Sequence, residues 1–90
     1  MEQTEKYIEV MSEIIAKQAI ILGPEIAVLK ARNVSVLIIG DSGKVTAIKG
    51  SPSEALQSLI NEYIALSGEI VRNIMKPIFD KYPEIKEEVT

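Results

Sequence analysis

Val34-Ser35-Val36-Leu37-Ile38-Ile39-Gly40-Asp41-Ser42-Gly43-Lys44-Val45-Thr46-Ala47-Ile48-Lys49 is the stretch that decides the fold. Two short runs dense in β-branched residues flank a cluster of Gly, Asp and Ser, the composition of a turn. The pattern predicts a hairpin in which 34–39 pairs with 45–49. Side chains alternate along a strand, so Val34, Val36 and Ile38 share one face and Leu37 and Ile39 the other. Both faces are apolar and both need cover. An isolated two-stranded hairpin is only marginally stable, so that cover must come from the flanking segments or from another chain.

Upstream, apolar residues recur at Ile8, Met11, Ile15 and Leu22, and again at Tyr7, Ile14 and Ile21. Spacings of three, four and seven predict an amphipathic helix over about 4–22, with a stripe wide enough for two neighbours. Gly23-Pro24 breaks or kinks it, because proline removes a donor and disfavours helical geometry in the residue before it. Pro24 suits the first position of a second helical piece ending near Arg32. Glu25 at its start and Lys30 and Arg32 at its end match the helix dipole, and Asn33 fits as its C-terminal cap.

Downstream, Ser51-Pro52-Ser53-Glu54 has the form of a capping box with proline at the first helical position. A long helix follows through Leu56, Leu59, Ile60, Tyr63, Ile64, Ile70, Val71 and Ile74, until Pro77 stops or kinks it. Pro77 to Tyr82 adds one turn at most, and 1–3 and 84–90 read as frayed polar tails. Leu22-Gly-Pro-Glu-Ile26 is faintly echoed by Leu66-Ser-Gly-Glu-Ile70, and Gly23 and Gly68 mark bends or close helix crossings. The expected fold is therefore a single α+β domain over 1–90, of order α-β-β-α.

Continuous helices over 4–32 and 52–76 would span roughly 43 and 37 Å at about 1.5 Å per residue. A compact chain of this length is about 30 Å across. Such helices would overhang the body, and the hairpin edges would remain open. Two copies joined into a four-stranded sheet with packed helices would resolve both problems. A homo-oligomer, foremost a dimer, is the expected state.

Composition narrows the function. Hydrophobic residues make up 47% of the 90 residues and charged residues 26%, which is enough apolar material for a core. Glu outnumbers Asp eleven to two, Lys outnumbers Arg eight to two, and there is no Cys, His or Trp, a thermophile-like balance. A net charge of −3 argues against binding a nucleic-acid backbone. No apolar run reaches the twenty residues that a membrane span needs, and the acidic start lacks signal-peptide order. Without cysteine there is no disulfide or thiolate metal site, and a cytoplasmic location is the default expectation.

Several motifs invite a sharper reading and do not sustain it. The segment 36–44 starts like a strand feeding a phosphate loop, but only two residues separate Gly40 from Gly43, and Val45 follows Lys44 where Ser or Thr is required. A hairpin turn explains it. The positive end of the helix opening at Ser51 is already occupied by Glu54. Glu2, Glu5, Glu9 and Glu13, with Glu84, Glu87 and Glu88, lack the turn glycine and alternating donors of a calcium loop. With no histidine, acid–base chemistry would fall to a Lys/Glu/Tyr group such as Tyr63 with Glu62 or Glu69, residues that packing and solvation explain equally well. Arg72, Lys76 and Lys81 form one modest basic group near a helix end. No catalytic, cofactor-binding or metal residue is assigned.

The order helix, strand, Asp-x-Gly turn, strand, capped helix, carried by Val34–Lys44 and the helix from Ser53, resembles the first part of the roadblock/LC7 dimerisation modules. These regulate small GTPases or scaffold motor and signalling complexes. The likeness covers about two-thirds of the chain, and the family continues with three further strands and a helix that this chain does not contain. It implies a dimer. The expected function is thus a non-enzymatic homo-oligomeric interaction or regulatory module. The alternatives are a small-ligand or effector-binding domain with an apolar pocket between helices and hairpin, and an accessory subunit of a larger complex.

Overall fold

The computed structural model describes residues 2–85, and side chains from Thr4 to Ile85. Its elements run α1 (Glu2–Leu22), α2 (Pro24–Arg32), β1 (Leu37–Ile39), β2 (Val45–Ile48), α3 (Pro52–Ser67) and α4 (Ile70–Asp80). The result is a mostly helical α+β fold with one two-stranded antiparallel hairpin.

Both expected long helices are broken, and both breaks fall at glycine. Gly23 has φ +92° and Gly68 φ +81°, conformations that side-chain-bearing residues rarely adopt. The N–H of Gly23 still bonds to Ala19 O and that of Gly68 to Ile64 O, so each glycine closes one helix before turning the chain. The C-terminal segment is therefore two helices rather than one long one, a correction to the periodicity reading. Apolar spacing continues across Gly68 and conceals the corner. Folding back at both places gives a body of 31 × 26 × 18 Å, so nothing overhangs. Pro77 does not end its helix: α4 passes through it to Asp80. The carbonyl it leaves without a donor belongs to Asn73, which is exposed, so water can satisfy it.

The hairpin is shorter than expected. Residues 33–36 turn, with Val34 N–H bonded to Ala31 O and Leu37 N–H to Val34 O, before β1 begins. Leu37 pairs with Ile48 and Ile38 with Ala47. A register shift then sets Ile39 opposite Val45. Ser12 Oγ on α1 accepts the Val45 N–H at 3.1 Å, locking β2 to that helix. Leu37 and Val45 are buried against the helices, while Ile38 on the other face is exposed. Among the described residues, the Ile38 side of the hairpin is the less covered one.

The core joins Tyr7, Val10, Met11, Ile14 and Ile15 of α1 to Leu56, Leu59, Ile60 and Tyr63 of α3 and to Val71, Met75, Ile78 and Phe79 of α4. The C-terminal segment runs back along α1: Lys81 pairs with Glu13, Tyr82 Oη donates to Glu9, and Lys6 pairs with Glu84. Ile85, which a polar-tail reading left outside, is fully buried; 86–90 lie outside the described residues.

The capping box at Ser51 differs from the sequence expectation, whereas Asn33 closes α2 as expected. Ser51 precedes α3 in an extended conformation with Pro52 in the first turn, but its hydroxyl lies 3.2 Å from Ser53 Oγ and makes no bond to a helix N–H. The capping box does not form. Asn33 follows α2 in right-handed geometry, and its side-chain Nδ2 donates to Glu62 of α3.

On α1 the buried stripe continues from Ile14 to Gln18, not to Ile21. Gln18 is 1% exposed, and neither its Nε2 nor its Oε1 has a hydrogen-bond partner. A buried amide without partners costs about 1–3 kcal/mol, whereas an apolar side chain of similar shape does not. Gln18→Met is expected to stabilise the fold by about 1–2 kcal/mol, read as a higher midpoint in urea with an unchanged slope. A lower midpoint would show that the amide is satisfied in solution.

Candidate functional site

The residues that tempt a catalytic reading do not converge. Tyr63 is fully buried, and its Oη donates to Ala27 O at 2.6 Å, tying α3 to α2. Glu62 accepts from Asn33, and Glu69 pairs with Arg72 at 2.7 Å, both on the surface. In the basic group, Arg72 and Lys81 each have a carboxylate partner, and the Glu13 hydrogen bond raises the Lys81 pKa. Gly40–Lys44 is a hairpin turn, closed by Gly43 N–H to Gly40 O and Gly40 N–H to Lys44 O. Among the described residues no group of three acidic side chains could hold a metal ion, and no helix is long and apolar enough to cross a membrane.

Burial pushes the Tyr63 hydroxyl well above the ordinary tyrosine range. The folded chain therefore holds the proton more tightly than the unfolded one, so this contribution is complete below about pH 10 and is lost as pH rises further. Tyr63→Phe removes the bond to Ala27 O and is expected to cost about 1 kcal/mol at pH 7. Above pH 10 the parent loses about 1.4 kcal/mol per pH unit from this group and the variant does not. Denaturant titrations at pH 7 and 11 should show the gap closing; a constant gap would contradict the assignment.

What the surface does present is apolar. Among the described residues, seven large hydrophobic side chains are exposed: Ile20, Ile21, Ile26, Leu29, Ile38, Leu66 and Ile70. Six of them lie within six residues of Gly23 or Gly68, and only Ile38 belongs to the hairpin. Ile20 at 80%, Leu29 at 63% and Ile70 at 60% exposure are extreme for their type. Ile21 and Ile70 belong to the apolar spacings that the sequence assigns to buried stripes. Ile21 lies in the last turn of α1 beyond the covered stripe and Ile70 opens α4 after the break at Gly68, and both stand in solvent.

Beside the Gly23 corner, two shallow grooves of about 310 and 360 Å³ adjoin at Pro24, Val28 and Ser42. The first runs between α1 and the turn, past Ala16 and Ala19. The second follows α2, with Glu25, Leu29 and Arg32 on its wall and Asp41 opposite. Arg32 Nη2 lies 3.9 Å from Asp41 Oδ1, a loose pair between two well-exposed side chains. Both grooves are open to solvent.

No protein-family model, characterised protein or solved structure matches this chain.

Proposed function

We propose that this protein is a non-enzymatic module that works by associating with itself, most simply as a dimer. The observation that carries the reading is the set of exposed isoleucines and leucines gathered at the two glycine corners. Soluble monomers scatter such residues singly, and grouped ones mark contact sites. The shallow grooves also suit a partner's side chain better than an enclosed small molecule.

A sheet extended edge to edge across two copies is one way to associate. Strands of three and four residues offer little edge, however, and only one of the seven exposed apolar side chains lies on them. The helix corners are the better-supported contact.

The deciding measurement is the solution mass by light scattering from about 5 to 500 μM. A shift toward twice the 9.9 kDa chain mass is expected. A mass of one chain throughout that range would overturn the reading.

A further inference from the structure

We infer that the outer face of α2 is the contact itself, packing antiparallel against α2 of a second copy about a two-fold axis beside Leu29; this rests on the self-association proposed above. Helix α2 buries Ala27 and Ala31. At 100° per residue, Leu29 points almost directly away from that pair, with Glu25 and Arg32 on either side of it along the same stripe. All three line the groove whose other wall is the Asp41–Ser42 turn.

The charges on this stripe are self-complementary. Glu25 and Arg32 are seven residues apart, about 10 Å along the axis, and their midpoint falls beside Leu29. Antiparallel packing about that point sets Glu25 of each copy against Arg32 of the other, giving two equivalent ion pairs around paired leucines. A two-fold contact requires this reciprocity, whereas parallel packing would set like charges together. Among the described residues Glu25 has no ion-pair partner and Arg32 has only the loose contact to Asp41, so both are open to a pairing across the contact. Leu29 of each copy then meets the apolar groove floor made by Pro24 and Val28 of the other. The last turn of α1, carrying Ile20 and Ile21, extends the contact past the corner.

The test uses the full chain with Glu25→Arg and Arg32→Glu, separately and mixed. Both positions are exposed, so circular-dichroism melts should stay close to the parent's. Each single variant sets like charges together twice and is expected to weaken dimerisation at least tenfold. An equimolar mixture of the two restores complementary pairs and should yield a heterodimer, distinguishable by native mass spectrometry. A monomeric parent would remove the parent reading along with this one. A dimeric parent whose variants dimerise unchanged, or whose mixture stays monomeric, would overturn the α2 contact alone and leave self-association through another face.

Discussion

Leu59→Ala is expected to lower stability by about 3–4 kcal/mol, a large share of what a 90-residue chain has to lose. Leu59 is fully buried on α3, within the core that joins this helix to α1 and α4. Truncation removes the transfer energy of the lost carbons and leaves a cavity that rigid helices fill only in part. Total stability for this length is roughly 5–13 kcal/mol, so the melting temperature should fall on the order of 15–20 °C. Calorimetry at neutral pH measures this directly. A fall under about 5 °C would mean that the site collapses around the gap, or that the three helices do not share one core.

Gly43→Ala is the second large effect, at about 2–3 kcal/mol, and it has an internal control. Gly43 sits in the hairpin turn with φ +85°, and a Cβ there would stand 3.0 Å from Val28 Cγ2 and 3.5 Å from Ile15 Cγ2. The substitution adds left-handed backbone strain to a tight contact with Val28 beneath the turn, Ile15 staying at ordinary van der Waals distance. Gly23 and Gly68 have similar positive φ but nothing within 4 Å of an added Cβ. Alanine at either should cost only the backbone strain, about 1–2 kcal/mol. Equal losses at all three positions in urea titrations would show that the turn does not press on α2.

Local chemistry was readable where one residue decides it. Gly23-Pro24 separates two helices, Pro52 opens α3, and Asp41-Ser42-Gly43 turns the hairpin, each because of a backbone preference that its residues carry alone. Burial was less readable, because it depends on what lies opposite. Gln18 occupies a core position that its amide disguises. Ile21 and Ile70 have core spacing, yet the chain turns away before anything covers them. The break at Gly68 was half visible: glycine suggested a bend, while the unbroken apolar spacing suggested a continuous helix. The capping box at Ser51 matched in residue type, but a hydroxyl two positions on took the place of the backbone donor. The candidate contact face was the least legible of all. Glu25 and Arg32 look like ordinary complements to the helix dipole until Leu29 is seen between them, pointing outward.

The way the C-terminal segment lies back along α1 has a consequence for synthesis. Glu13 and Lys6 find their partners 68 and 78 residues later, at Lys81 and Glu84. At about 5–20 residues per second, the end of α1 is made roughly 3–12 s before the end of α4. Part of the apolar stripe of nascent α1 stays bare through that interval, in which chaperones can hold it.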